Sequence, residues 1–437
     1  MKVLIVGAGP GGLTAALSLH EAGIDVEVYE AAQTLRPLGV GINCLPHSAR
    51  ELVELGLGDA LDATAVRTRE LVYANKFGQT VWREDRGEWA GYRWPQYSVH
   101  RGRLQMLLWE TALQRLGRER LHTDHSLVRF EQTDADVVAY FESRPVGASG
   151  GSAGERRSGS GESRGSVRAD LLIAADGIHS AVRRQLYPDE GPPLWNGAIL
   201  WRGVTRAKPF LTGASMVQAG HEWQKFVCYP ISRIGDDGLQ DINWIAEIKY
   251  RDRSKFDRED WNRPGRLDDF LPQFESWNFG WLDCPALVRG AAQCFEFPMI
   301  DRDPLPAWTH GRVTLLGDAA HPMYPIGSNG ASQAIIDARV LAWRLATGAD
   351  WREALRLYED ERRPATARIV AANRGNGPDQ VLQIAEERAP RGFARDVEEA
   401  IPRAELEAIA NQYKAMAGFD KERLNTRPSY SVKSEAR

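Results

Sequence analysis

Cysteine is scarce in this chain. Cys44, Cys228, Cys284 and Cys294 are the only four among 437 residues, with no C-x-x-C pair and no zinc-type spacing. That excludes a disulfide framework, offers no metal site, and reads as buried or incidental thiols of a reducing compartment. A long apolar run is also missing. The N-terminal Val3-Leu4-Ile5-Val6 is soon broken by Gly7, Gly9, Pro10, Gly11 and Gly12, which a secretory core does not tolerate, and no later run approaches a membrane span. Excess positive charge is absent too. The formal net charge of -4 provides no basic field for nucleic acid or anionic lipid. The final Glu435-Ala436-Arg437 is not a peroxisomal address, so the expected location is the cytoplasm. What is present is 43% hydrophobic and 26% charged residues, the composition of a folded protein long enough for two or three structural units.

The most informative stretch is the first thirty residues. Lys2 to Val6 reads as a buried strand, Gly7, Gly9 and Gly12 form G-x-G-x-x-G, Leu13 to Ala22 reads as a helix, and a second strand from Asp25 to Tyr29 ends on Glu30. Each part has a job if a dinucleotide binds. Gly7 permits the tight turn, Gly9 lets the backbone approach a pyrophosphate, and Gly12 lets helix and strand pack closely. The helix N-terminus offers free N–H groups to the phosphates, and Glu30 is placed to accept hydrogen bonds from a ribose. This stretch alone leaves FAD and NAD both open.

Further along, Leu35 to Asn43 is a glycine-punctuated loop, and Pro46 to Leu57 reads as a helix stopped by Gly56 and Gly58. Glu70 to Trp82 alternates like a hairpin turning at Phe77-Gly78. A helix runs from Arg101 to about Leu116, with Arg101 and Gln105 one turn apart on a shared face. Leu127 to Glu142 reads as a strand pair, and the Gly/Ser/Arg tract at 145–168 as a mobile insert. Order returns with an apolar strand running into Asp176-Gly177 and a short basic helix. Between Pro192 and Phe297 lies the richest aromatic region, with strands expected at Ala198 to Val204 and Ile242 to Ile248. Leu200 and Arg202 then point one way, Trp201 and Gly203 the other.

A second anchor is Arg312 to Pro322. Its strand ends in Gly317-Asp318, a Pro/Gly-rich loop follows to Gly330, and a helix begins at Ala331, again forming a helix N-terminus suited to anions. Trp351 to Asn373 reads as a charged surface helix interrupted at Arg363-Pro364. Beyond Pro378 come short charged helices, and a polar tail from Asn425 is expected to be disordered or packed across the surface.

With these segments in hand, the chain resembles the single-component FAD-dependent aromatic hydroxylases, typified by para-hydroxybenzoate and salicylate hydroxylases. The carrying residues are Gly7-Ala8-Gly9-Pro10-Gly11-Gly12 with Glu30, Asp176-Gly177, and Gly317-Asp318 with its loop. Within that family, Arg36 to Asn43, Gln96 to Gly102, Trp201 to Thr205 and Met299 to Pro306 look most like bacterial phenazine-1-carboxylate hydroxylases. The resemblance spans roughly 1–374 and implies an α/β architecture. A Rossmann-like FAD-binding domain would comprise 1–72, 96–190 and 298–350. A second domain on a mainly antiparallel sheet would comprise 73–95 and 191–297, with C-terminal helices and tail at 351–437.

The resemblance also implies roles. Glu30 and Arg101 would contact the FAD ribose and nearby linker, Gly9 and Gly12 the pyrophosphate turn, Gly41 the flavin's side, and Asp318 the ribityl chain. Ala331 would face the flavin's anionic end, and Asp176 would lie near the pyrophosphate and the nicotinamide donor. The resemblance implies NADH or NADPH as co-substrate with no separate Rossmann domain for it, and this sequence likewise offers no second G-x-G-x-x-G. The implied reaction is oxygen transfer from a flavin hydroperoxide, formed with O₂, to an acidic or phenolic aromatic, with decarboxylation if the attacked carbon bears a carboxylate. Arg202 and Tyr229 are the candidate substrate-side residues, Arg202 for a charge-assisted bond and Tyr229 for hydrogen bonding or deprotonation. A monomer or homodimer without metal is expected. An epoxidase or quinolone-type hydroxylase, a nicotinamide-dependent dehydrogenase and a non-catalytic flavin binder remain alternatives at this point.

Overall fold

The computed structural model describes residues 1–37, 39–143, 162–251 and 263–432. The apolar opening becomes β1 (Lys2–Val6), followed by α1 (Pro10–Glu21) and β2 (Asp25–Tyr29). Helix α1 begins before the expected Leu13, because a proline at the first helical position has no N–H to leave unpaired and a preset φ. Strand β1 lies inside a six-stranded sheet ordered β19 (Thr309–His310), β20 (Val313–Leu315), β12 (Leu171–Ala174), β1, β2, β8 (Leu121–His122), parallel except for the β19–β20 pair. All of β12 and Val3 to Val6 are buried, as continuous apolar strands in a covered parallel sheet should be. Helix α1 packs against α4 (Arg101–Leu116) and α7 (Gly330–Thr347).

A three-stranded antiparallel sheet of β9 (Ser126–Gln132), β10 (Val137–Glu142) and β11 (Ser163–Ala169) shares this core. Strand β11 corrects the reading of 145–168 as one loop. Ser163 to Arg168 pair with β10 through their backbone while their side chains stay largely exposed, so a sequence with nothing to bury still completes a sheet. Residues 144–161 of that expected insert lie outside the described residues.

The second large sheet has eight strands in the order β17 (Arg263–Pro264), β18 (Cys294–Asp301), β13 (Leu194–Ala207), β16 (Gln240–Lys249), β15 (Gln224–Pro230), β14 (Ser215–His221), β5 (Glu70–Ala74), β6 (Thr80–Asp85). It is antiparallel except where β14 runs parallel to β5, so the early hairpin extends a sheet whose other strands come much later. The expected alternation along β13 holds. Trp201 stacks on Phe270 at 4.8 Å in one apolar cluster with Trp244, Phe226 and α6 (Cys284–Arg289). Leu200 packs on the opposite side with Met299, Tyr324 and Ile326. A small sheet of β3 (Gly41–Cys44), β7 (Tyr97–His100) and β4 (Val66–Arg67) puts Cys44, Tyr97 and Val99 into the core of the first large sheet and Gly41 against Asn243 of the second.

Three helix readings change. The expected Pro46–Leu57 helix ends as α2 (Pro46–Glu54), and Gly58 starts α3 (Gly58–Thr64) instead of stopping a helix. Helix α8 (Trp351–Arg374) runs through Pro364 without a break. Thr366 Oγ1 donates to the carbonyls of Arg362 and Arg363 beside the proline, and Tyr358, Arg362 and Ile369 anchor both flanks in the interior, while Arg352, Glu353, Arg356 and Asp360 form the exposed charged face of this helix. Helices α9 (Gln380–Arg388), α10 (Arg403–Met416) and α11 (Lys421–Thr426) follow α8. The tail then packs across the surface through Ser429 on Glu54, Tyr430 on Glu361 and Ser431 on Arg339.

The segment before α9 is pinned to the second sheet by charge. Buried Lys225 lies 2.8 Å from Asp379 and 3.2 Å from Glu247, both also buried. Replacing it with alanine removes the cation that two buried carboxylates share, so Lys225→Ala should cost about 3 kcal/mol or more of stability. Urea unfolding of wild type and variant measures it, and a cost near zero would remove the pin.

Candidate active site

The parallel strands stop together. Tyr29, Val6, Ala174 and Leu315 occupy one line across the sheet, so the residues that follow them emerge side by side at its C-terminal edge. This is where open α/β sheets bind ligands. The emerging segments are Glu30, the Gly7–Gly12 turn, Asp176-Gly177 and Gly317-Asp318, which brings together all three motifs identified from sequence.

At the first turn Gly7 has φ +102°, and a Cβ on Gly12 would stand 2.1 Å from the Gly7 carbonyl oxygen, so both positions require glycine. Gly9 differs. Its φ is -73° and nothing lies within 4 Å of an added Cβ, leaving the loop open toward the cleft. Glu30 holds that loop by accepting from the N–H groups of Ala8 and Ala32, both at 2.8 Å. Gln105, one turn beyond exposed Arg101, donates to the Ala8 carbonyl at 2.8 Å. A Cβ on Gly11 would press Leu316 and Ala334, so this turn packs directly on the second anchor.

At the second anchor Gly317 has φ +60°. Asp318 is reachable by solvent yet ringed by protein. That crowding pushes its carboxyl above the usual range, against the opposing pull of His321 and Arg101. The turn rests on buried Asp337, whose Oδ2 accepts from Gly317 N–H at 3.2 Å and lies 2.5 Å from His321 Nε2. Its Oδ1 accepts from Arg362 at 2.7 Å. Burial raises the Asp337 carboxyl, but His321 and Arg362 outweigh it and hold the group ionised, below its ordinary value. Buried Arg183 donates to the carbonyls of Ala319 and Ala320 at 3.1 and 3.0 Å. These supports escaped the sequence reading. The available signal was Asp337 and Arg339 standing inside the apolar run Ile335 to Ala342. Ala331 sits in the first turn of α7, one residue after its start at Gly330.

Asp176 lies between the two anchors. Its Oδ2 accepts from Ala181 N–H at 2.8 Å, at the start of α5 (Ala181–Leu186), and its buried Oδ1 has no partner among the described residues. Half of this carboxylate thus braces a helix and half is unused.

Across the cleft, Arg202 and Tyr229 come together. Arg202 Nη2 donates to the Gly41 carbonyl at 2.8 Å, its guanidinium lies 6.0 Å from the Phe297 ring, and its Nε is buried with no partner among the described residues. Asn243 Oδ1 accepts from Gly41 N–H at 2.7 Å, so β3 is held from both sides by the second sheet. Burial pushes Arg202 down from its ordinary value and pushes the adjacent Tyr229 phenol up to about 12.

The two open or closed glycines make separable predictions. Gly9→Ala should leave the melting temperature of flavin-free protein unchanged while lowering FAD affinity, because its Cβ enters empty space where a phosphate would approach. Gly12→Ala should lower that melting temperature itself, because its Cβ displaces the Gly7 carbonyl. Thermal melts with flavin titration check both, and identical behaviour of the two variants would contradict the assignment.

Comparison with known proteins agrees with this geometry. Residues 1–193 and 300–373 match the FAD-binding domain family. Phenazine 1,6-dicarboxylic acid hydroxylase of Lysobacter antibioticus is 45% identical over 375 residues, 85% of this chain and 89% of that protein. The 3-hydroxybenzoate 6-hydroxylase of Klebsiella oxytoca is 30% identical, over 86% of this chain and 88% of that protein. Among solved structures, salicylate hydroxylase in a substrate complex superposes with a TM-score of 0.69 at 22% identity, covering 98% of both chains. Klebsiella pneumoniae HpxO with FAD and uric acid gives 0.70 at 23% identity, covering 96% of both, and these two support the fold. Among the described residues no helix is long and apolar enough to cross a membrane. The chain belongs to the FAD-binding domain family and is one of its FAD-dependent aromatic hydroxylases.

Proposed function

We propose that the chain takes an acidic or phenolic aromatic as substrate, with O₂ as the other reactant, and that Arg202 and Tyr229 hold the ring. The observation that carries this reading is the buried, unpartnered Arg202 Nε beside Tyr229, on the β3 backbone that borders the flavin side of the cleft. A guanidinium with an unspent donor in a crowded site favours an anionic oxygen, since a bound anion restores the lost hydrogen bond and shares the cost of desolvation. Relatives of known substrate support the same class, because the phenazine and hydroxybenzoate enzymes are named for carboxylated rings.

FAD supplies the redox and oxygen-activating chemistry when bound. The Gly7–Gly12 turn, Glu30 and Arg101 would hold its ADP half. Asp176 would lie beside the pyrophosphate and the nicotinamide donor, and Gly41, Asp318 and the α7 N-terminus with Ala331 would hold the flavin half. The remaining work belongs to the protein. The loop from Pro322 to Gly330 walls one side of the pocket, excluding water and fixing the ring carbon. Tyr229, pushed up to about 12, keeps its proton throughout the neutral range and serves a substrate oxygen as a hydrogen-bonding phenol, not as a phenolate. If the attacked carbon carries a carboxylate, CO₂ leaves. The reading further divides the chain into the discontinuous FAD-binding part and the sheet-based substrate part described above, and places it in the cytoplasm as a monomer or homodimer.

Screening phenazine, salicylate, anthranilate and quinolone acids for stimulated NADH or NADPH oxidation tests the substrate class. Product mass then reports about +16 for hydroxylation or about -28 for replacement of a carboxylate. Arg202→Ala should lower kcat/KM by about 10–100-fold while FAD stays bound, the usual worth of a hydrogen bond to a charged group. Tyr229→Phe should lower coupling of NAD(P)H oxidation to product, with no titration of Tyr229 in wild-type pH profiles between 6 and 9. Unchanged turnover and coupling in either variant would remove that residue from the site.

A further inference from the structure

The loop from Pro322 to Gly330 holds an uncommon backbone against the C-terminal helices. Gly327 has φ +70° and Ser328 φ +57°, so two successive residues are left-handed, and Ser328 is so despite its Cβ. Such a conformation persists where the surroundings fix it. A Cβ on Gly327 would stand 2.1 Å from the Tyr413 hydroxyl oxygen. The bare loop backbone therefore lies directly on a side chain of α10.

Buried Tyr413 ties several parts of this loop together. Its hydroxyl accepts from Asn329 Nδ2 at 2.9 Å and donates to Asn373 Oδ1 at 2.9 Å. Burial raises the phenol above its ordinary value, so the proton for that donation stays in place. Asn373, on α8, in turn donates through Nδ2 to the Tyr324 carbonyl at 3.1 Å, so one network joins the two ends of the loop. Gln333, in α7, donates to the Ala417 carbonyl just past α10 at 3.0 Å, and Met323 shares an apolar cluster with Tyr413 and Phe419. The mount is itself fastened, because Lys414 Nζ lies 2.5 Å from Glu84 of β6. From the side of the small sheet, Asn43 of β3 donates to Ser328 Oγ at 3.4 Å, which links the same segment to the strand that carries Gly41.

We propose that Tyr413 is a positioning residue for the hydroxylation: acting through Asn329, it fixes Gly327 to Asn329 as a wall of the reaction pocket and so keeps NAD(P)H oxidation coupled to product. Without the hydroxyl, the Asn329 donor and the Asn373 acceptor lose their partner in the interior and the loop loosens. A loosened wall admits water and lets the ring carbon leave its place. The two electrons of NAD(P)H then reduce O₂ to H₂O₂, instead of one oxygen atom entering the ring and the other leaving as water. This inference rests on the reading of the Pro322 to Gly330 loop as a pocket wall. It adds the C-terminal helices, distant in sequence from every cofactor motif, to the machinery of the reaction.

The test compares FAD-loaded wild type with Tyr413→Phe and with a control, Tyr430→Phe, which deletes a hydroxyl that donates to Glu361 at 2.9 Å from the C-terminal tail. Two quantities are read: amide hydrogen exchange over residues 323–330, and the share of NAD(P)H oxidation recovered as H₂O₂ with whichever of phenazine-1-carboxylate and salicylate the wild type hydroxylates. Tyr413→Phe should quicken exchange in the loop by about five- to tenfold, the worth of one hydrogen bond. It should also raise the peroxide share severalfold with KM little changed, whereas Tyr430→Phe should alter neither quantity. Asn329→Ala removes the same bond from the loop's side and should reproduce the pattern, which keeps the test decisive if Tyr413→Phe fails to fold. Unchanged loop exchange in these two variants, or an equal response in Tyr430→Phe, would overturn the inference. Quickened loop exchange with full coupling would instead defeat the reading of the loop as a pocket wall.

Discussion

The structure depends on parallel strands that end in register. When β2, β1, β12 and β20 stop along one line, the backbone that leaves them must turn at once, and the turns meet in the same space. Glycine at 7, 177 and 317, each with positive φ, makes the turning possible without side-chain clash. In the proposed reading, a dinucleotide cofactor spanning those turns would be held by backbone from three distant parts of the chain. Shifting one strand by a residue would reverse every side chain and move its turn out of line.

Around that edge the protein spends buried charge on position. Asp337 collects the Gly317 N–H, His321 and Arg362, and Arg183 holds the carbonyls of Ala319 and Ala320. Breaking such a buried group leaves an uncompensated charge, so the loop carrying Asp318 has little freedom to drift. On the other side of the cleft, Arg202 and Asn243 clasp the two polar groups of Gly41. The small sheet is consequently coupled to the second large sheet at β3, while Arg202 Nε stays buried with no partner among the described residues.

Local signals made much of this legible. An apolar run followed by G-x-G-x-x-G, the alternation along Leu200 to Gly203, and the hairpin turning near Gly78 each depend on neighbours within a few residues, and each was readable from sequence. What escaped depends on partners far along the chain. Pairing of β5 with β14 joins segments that share no sequence pattern. Helix α8 survives Pro364 because Thr366 and interior packing compensate, which no helix propensity reports. Ser163 to Arg168 look like linker by composition but complete a sheet edge. At the site, the glycines, Glu30, Asp176, Asp318, Arg202 and Tyr229 were chosen from sequence, whereas Asp337 and Arg183 were not. Isolated charged residues in apolar or strand-like stretches gave the only hint of them.

The proposed function comes down to one chemical statement: an aromatic acid held against Arg202 would take its new oxygen atom from O₂, with FAD supplying the oxygen-activating chemistry when bound. Turnover under ¹⁸O₂ in unlabelled water, with an aromatic acid that stimulates NAD(P)H oxidation, tests it most directly. The account predicts one labelled oxygen in the hydroxylated ring for each NAD(P)H consumed in coupled turnover. A hydroxyl group drawn from water, or NAD(P)H oxidation that yields only peroxide with every aromatic acid tried, would contradict it.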